Sequence, residues 1–203
     1  MNDSRPIDTA TPRLPLAIVL PVFNEADAIA AVLSEWFTAV EQETSRFLLI
    51  AINDGSTDNT LAILNQFKEQ WPDRVTVIDQ PNSGHGISCR AGYEAALQTG
   101  AEWILQIDSD GQCDPRYFHQ FWSVRDHADV VFGLRVARFD GALRRAISTA
   151  CRALTFLVTG SDLKDANVPY RLMSRKALER ALPRVPRDFQ IHNVALTLAL
   201  KRD

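Results

Sequence analysis

The most reactive arrangement in this chain is a pair of carboxylates behind an apolar run. Asp108 and Asp110 alternate in the pentapeptide DSDGQ, which follows Trp103–Ile107. Alternate residues of an extended segment point the same way. Both carboxylates then face one spot, and the pentapeptide has no basic residue to pair them. Like charges this close raise each other's pKa unless a cation joins them. A hard divalent ion does so, taking carboxylate oxygens together with substrate phosphate oxygens. Gln112 can add a carbonyl oxygen or a water-mediated contact. An acidic solvated turn has the same composition. Chemistry is favoured by the position behind an apolar strand and by three other polar strand ends upstream.

Those three loops are FNEAD, NDGSTD and NSGHG. Asp54 stands at the tip of a buried strand, where it can accept hydrogen bonds from a nucleobase or ribose. Turn chemistry accounts for the same residues, with Asn53 or Asp54 closing an Asx turn and Ser56 or Thr57 capping the next helix. Asp58 is expected at that helix's N-terminus, where the dipole favours negative charge. Asn24 and Glu25 sit at the first strand–helix junction. Glu25 fits a contact near base or ribose and, equally, a first-turn carboxylate. NSGHG matches neither GxGxxG nor the P-loop, which excludes those fingerprints and with them a hydride-transferring dehydrogenase. Its glycines are expected to allow close backbone approach.

Further on, Arg135, Arg138, Arg144, Arg145 and Arg152 face only Asp140 in acidic charge. Arginine suits bidentate phosphate contacts. Residues Ala142–Val158 are apolar on one helical face and basic on the other, which predicts contact with phosphates or a membrane surface. Asp165 can pair with Arg171 or serve as the base that takes a proton from an acceptor hydroxyl. His119 and His127 read as surface or packing residues. His192, beside Asp188, is a candidate for the acceptor side.

The elements that must position these loops alternate. Strands are predicted over Leu16–Val22, Phe47–Ile52, Val75–Ile78, Trp103–Ile107 and Val130–Phe132. Helices are predicted over Glu25–Val40, after Thr57, and over Ile87–Thr99, Pro115–His127 and Ile191–Leu200. This order implies an α/β layer with a mostly parallel sheet and helices on both faces. Such sheets bind ligands at the carboxyl ends of their strands, where all four polar loops fall.

The chain has 203 residues, enough for one large domain with a full core. A net charge of −3 lacks the basic excess of a protein that grips nucleic acid. Three widely spaced cysteines, Cys89, Cys113 and Cys151, argue against a disulfide framework or zinc site and for a reducing compartment. No apolar run is long enough to span a membrane, and the start lacks the apolar core of a signal peptide. Residues 1–13 are expected to be a disordered leader and 14–203 the domain, its last helix implying that the native chain continues past Asp203.

The segments PVFNEADAI, NDGSTDNT, NSGHGISCRAGYEAAL and GAEWILQIDSDGQCDP resemble, in order and spacing, a family 2 glycosyltransferase with the Rossmann-like GT-A fold. VFGLRVAR, RRAIS and DANVPYRLMSRKAL resemble its polyprenyl-phosphate sugar transferase branch, the dolichyl-phosphate mannose synthase type. The resemblance implies inverting transfer from a UDP- or GDP-linked sugar at the cytoplasmic membrane face. The acceptor would be a polyprenyl phosphate or a saccharide. By position, Pro21, Asn24, Glu25, Asp54 and Asp108 would contact the donor. Asp108 and Asp110, with Gln112 beside them, would hold Mg²⁺ or Mn²⁺. Arg135, Arg144 and Ser148 would meet phosphates, and Asp165 would be the acceptor-side acidic residue, catalytic together with Asp110. A peripheral membrane contact and a homo-oligomer are compatible with this pattern. Two positions depart from it. His85 stands where lysine is usual, and NVPY replaces a cysteine or serine–glycine–phenylalanine run before Arg171. Two other readings fit parts of the pattern. A non-catalytic nucleotide-sugar-binding domain would bind without turnover. A nucleotidyltransferase needs a glycine-rich basic loop after the first strand, which FNEADA lacks.

Overall fold

The computed structural model describes residues 14–133, 168–187, 189–190 and 192–201. Its order is β1 (Leu16–Val22), α1 (Ile29–Glu41), β2 (Phe47–Asp54), α2 (Thr60–Gln70), β3 (Val75–Gln80) and α3 (His85–Gln98). There follow β4 (Trp103–Gln106), α4 (Phe118–Ser123), β5 (Val130–Phe132), β6 (Arg171–Ser174), α5 (Arg175–Ala181) and α6 (His192–Lys201). One six-stranded sheet runs β3-β2-β1-β4-β6-β5. β1, β2, β3 and β4 are parallel, and β6 is antiparallel to both neighbours. The mostly parallel α/β layer is therefore as expected. β6 had no counterpart in the hydrophobic pattern, because four residues ending in Arg and Ser carry too little periodicity to register.

Every residue of β1 is buried. Leu16, Ile18 and Leu20 enter one core with Trp36 and Phe37 of α1 and Phe118 of α4. Ala17 and Val19 enter the opposite core with Tyr93 of α3, Leu178 of α5 and Leu196 of α6. The strand's period of two thus feeds two layers, which is why it reads as unbroken apolar sequence. Gly92 lets α3 lie flat on the sheet. A Cβ there would come within 2.3 Å of Val19 Cγ1 and 2.7 Å of Ile52 Cδ1.

Several boundaries shift for local reasons. α1 starts at Ile29, because Asn24–Ala26 are tied to a neighbouring loop instead of entering the helix. α2 starts at Thr60, and neither Ser56 nor Thr57 caps it. The Ser56 hydroxyl accepts from the Asn24 N–H instead. The segment expected as one helix over Pro115–His127 is a 3₁₀ turn, the short α4 and a second 3₁₀ turn. Asp114 caps the first turn by accepting from the Arg116 N–H. The predicted Ala142–Val158 helix lies outside the described residues, as do residues 1–13. Among the described residues no helix is long and apolar enough to cross a membrane.

Candidate functional site

β1 has β2 on one side and β4 on the other, so successive connections leave in opposite directions at its carboxyl end. A crevice forms at such a switch point. Here it is a cleft of about 410 Å³, within the usual range for small-molecule sites. Pro21, Val22, Phe23 and Glu25 come from β1 and its loop, and Asp54 from β2; Asn24 is not among the lining residues. Asn82, Gly84, His85 and Ser88 come from the start of α3, and Asp108 to Asp110 from the end of β4. Sequence reasoning grouped Pro21, Glu25, Asp54, Asp108 and Asp110, and the fold brings all five together.

The loops are fastened to one another by their own side chains. Asn24 adopts a left-handed backbone, φ 53°, a region that asparagine tolerates better than most residues. Its Oδ1 accepts from the Thr57 N–H at 2.8 Å. The Glu25 N–H donates to Thr60 Oγ1 at 2.9 Å, and the Ala26 N–H to Asp58 Oδ2 at 3.1 Å. Asp58 also accepts from the Thr60 N–H, so it serves the helix start as expected and joins two loops besides. Asn24 thus acts as a brace between the first two loops.

Asp54 is buried, and the chain itself occupies its carboxylate. Oδ1 accepts from Gln80 Nε2 at 2.8 Å and from the Ser83 N–H at 2.9 Å, and Oδ2 accepts from the Gly84 N–H at 2.8 Å. Burial pushes this carboxyl upward, but hydrogen bonds from Gln80, Ser83, Ser88 and Gly84 outweigh it and hold it below the ordinary range. These bonds are not the local Asx turn expected from sequence: they reach Gln80, Ser83 and Gly84, 26 to 30 positions along the chain. The carboxylate still lines the cleft.

Negative charge collects on the facing wall. Burial, then the charges of Asp110 and Asp58, hold the Glu25 carboxyl above its ordinary value. Asp110 Oδ1 accepts from the Gln112 N–H at 3.0 Å. His85 Nε2 lies 3.9 Å from Asp108 Oδ1, and His85 is the only side chain among the described lining residues that can become a cation. Hard carboxylates in excess over cations fit a hard divalent ion. Among the described residues no three or more His, Cys, Asp or Glu side chains form a cage by themselves. An ion here would need oxygens from the substrate, as Mg²⁺ sites commonly do. Gln112 does not line the cleft. It faces a neighbouring cavity of about 150 Å³ with Cys113, Asp114 and Tyr170.

Arg135, Arg144, Ser148 and Asp165 lie outside the described residues. His192 is corrected. It is 1 % exposed, packed 5.5 Å from the Tyr93 ring, and neither ring nitrogen has a hydrogen-bond partner. It is buried against Tyr93 of α3, not exposed as an acceptor surface. Burial, then the charges of Arg171, Arg90 and His85, lower its pKa to about 4. The unfolded chain therefore takes up this proton first as pH falls. Stability is expected to be flat above pH 6.5 and to fall between 6.5 and 4, by up to about 1.4 kcal/mol per pH unit. Urea unfolding at pH 7.5 and 5 checks this, and His192→Gln should flatten the slope.

Two cleft features escaped sequence reasoning. Phe23 presents an aromatic ring, 45 % exposed, at the cleft. Its signal was its place one step before Asn24, in a loop read only for polar residues. Gln190 donates from Nε2 to the Ser83 carbonyl at 2.9 Å, 107 positions away in the chain. No local pattern announces a contact of that separation.

The described chain has the GT-A fold, shared with solved glycosyltransferases. Glucosyl-3-phosphoglycerate synthase from Mycobacterium tuberculosis, solved with Mn²⁺, UDP-glucose and phosphoglyceric acid, matches with TM-score 0.61 and 17 % identity, over 82 % of this chain and 58 % of that one. S. aureus TarS in complex with UDP matches with TM-score 0.61 and 17 % identity, over 90 % of this chain and 54 % of that one. The model of glycosyl transferase family 2 matches residues 17–182, and the chain belongs to that family. Within it, the chain is similar to the undecaprenyl-phosphate 4-deoxy-4-formamido-L-arabinose transferase of Photorhabdus laumondii. Identity is 27 % over 188 residues, 92 % of this chain and 57 % of that protein. The Serratia proteamaculans protein of the same name is 27 % identical over 82 % of this chain and 51 % of its own length. This chain thus spans about half the length of these relatives.

Proposed function

We propose that the cleft binds a nucleoside diphosphate sugar, UDP-linked by preference, and that the protein transfers its sugar with inversion to a polyprenyl phosphate. The observation that carries this reading is the meeting of Asp108 and Asp110 with Glu25 and the Asp54-anchored loop in one cleft at the switch point. Support comes from neighbours solved with UDP, UDP-glucose and Mn²⁺, and from relatives named as undecaprenyl-phosphate sugar transferases.

In this account Asp108 and Asp110 would hold Mg²⁺ or Mn²⁺, with Gln112 steadying Asp110 through its backbone N–H. The ion, when bound, neutralises the charge that grows on the departing diphosphate. Pro21, Asn24 and Glu25 shape the nucleoside end. The exposed face of Phe23 offers a flat apolar surface to a base. Asp54 acts by fixing the Ser83–Gly84 wall. Arg135, Arg144 and Ser148 are assigned to phosphates by their positions in the sequence. An acceptor phosphate oxygen attacks the anomeric carbon from the face opposite the diphosphate. The new C–O bond forms as the bond to the β-phosphate oxygen breaks, and a nucleoside diphosphate leaves. The acceptor is already anionic and needs no base. A saccharide acceptor would need one, for which Asp165 is the candidate. The basic, apolar stretch 142–158 would bring the protein to the cytoplasmic face of a membrane.

The test is UDP release from UDP-glucose and UDP-GlcNAc with Mn²⁺, in the presence of undecaprenyl phosphate in vesicles or of soluble saccharides. Release that depends on the lipid phosphate is the expected result. Release that depends on a saccharide would replace the acceptor, and binding without release to either would favour a non-catalytic donor-binding domain.

A further inference from the structure

Gly84 and His85 line the cleft together with Glu25, and the loop Ser83–Gly84–His85 is gripped from two sides. Asp54 takes the N–H groups of Ser83 and Gly84 from the sheet side. The segment Phe189–Gln190, between α5 and α6, holds the other side. Gln190 Nε2 donates to the Ser83 carbonyl at 2.9 Å. The close approach permitted by the NSGHG glycines is made by this segment. A Cβ on Gly84 would lie 2.3 Å from Gln190 Oε1, and one on Gly86 would lie 2.6 Å from the Phe189 carbonyl oxygen and 2.7 Å from that of Gln190. Two glycines are thus kept open for one dipeptide that lies beyond residue 182, where the family match ends.

Resting on the donor-site reading above, we infer that Phe189–Gln190 is a clamp on the donor cleft and that Gln190 is a positioning residue for nucleotide binding. The Ser83 carbonyl and the Gly84 N–H belong to one planar peptide, so Gln190 and Asp54 hold that plane at its two edges. The wall is thereby set before the nucleotide arrives. Preorganisation of this kind raises affinity by lowering the ordering cost of binding. In α6, Asn193 Oδ1 accepts from the Gln106 amide at 3.2 Å, at the end of the strand that leads to Asp108.

The test compares wild type with Gln190→Met, which keeps the length and loses the donor, and with Gly86→Ala. Alanine normally stabilises a helix against glycine, whereas here its methyl group must push the clamp away. UDP affinity is read by calorimetry with Mn²⁺, and hydrogen exchange is followed over residues 80–87 of the ligand-free proteins. Both variants are expected to bind UDP about tenfold more weakly, the size of one well-placed hydrogen bond. Exchange should quicken over 80–87, with the melting temperature of Gln190→Met within about 2 °C of wild type. Wild-type affinity and exchange in Gln190→Met would overturn the proposal. Faster exchange across all of α3 with a lower melting temperature would also overturn it, by making Gln190 a packing residue only. If wild type itself binds no UDP while exchange still responds, the donor-site reading fails together with the positioning role.

Discussion

Asp110→Ala is expected to abolish Mn²⁺-dependent binding of UDP-sugar and to lower transfer by about a thousandfold or more, the scale on which preorganised charge stabilisation acts in active sites. Its described hydrogen bond is the short-range one from the Gln112 N–H, and the residue is exposed. The fold should therefore lose no more than about 1 kcal/mol. Removing one carboxylate also relieves Glu25, whose carboxyl Asp110 pushes upward. The variant is thus expected to melt near wild type while the metal-dependent part of binding disappears. Calorimetric titration of UDP with Mn²⁺ and with EDTA separates the two effects. Equal affinity in the variant would remove Asp110 from the ion site.

Asp54→Asn is the second large effect, and its cause is different. The two carboxylate oxygens accept from Gln80, Ser83 and Gly84. An amide has one acceptor oxygen, so its NH₂ must face an N–H whichever way it turns. The expected cost is about 2–3 kcal/mol, for lost bonds and a buried donor left without a partner. The Ser83–Gly84 wall should loosen with it, weakening UDP binding by tenfold or more. Because the folded carboxyl is depressed, its contribution in wild type is present above the ordinary value of 3.8 and is lost only as pH falls through the lower folded value. Denaturant unfolding at pH 7 should therefore show the full loss in the variant. Unchanged stability would mean that the three bonds do not bear on the fold.

Much of this was legible in the chain because parallel strands advertise themselves. β1 and β2 are apolar on both faces, so Leu16–Val22 and the run from Phe47 read directly as buried strands. Polar residues then had to collect at their carboxyl ends, which located Glu25, Asp54, Asp108 and Asp110 before any geometry was known. Contacts that join distant parts of the chain stayed hidden. The Asn24 brace replaces helix turns that the pattern of Glu25–Val40 predicted, since side chains from 56–60 satisfy the backbone there. Gln190 on Ser83 has no local signature at all. His192 was a candidate for the acceptor side by its place beside Asp188, whereas its burial beside Tyr93 is decided by how α6 packs on α3. Gln112 was grouped with the acidic pair by spacing, but the turn at Gly111, φ 74°, swings it toward a separate cavity.

The central claim is that the switch-point cleft is a metal-assisted nucleoside diphosphate sugar site. The direct measurement is the melting temperature with UDP-glucose, UDP-GlcNAc, UDP-galactose or GDP-mannose, each with Mn²⁺, Mg²⁺ or EDTA. A ligand that binds only the folded state raises the midpoint by mass action. The account predicts a rise with a UDP-sugar and Mn²⁺ or Mg²⁺ that vanishes in EDTA and in Asp110→Ala. A rise of equal size in EDTA, or none with any donor, would contradict it.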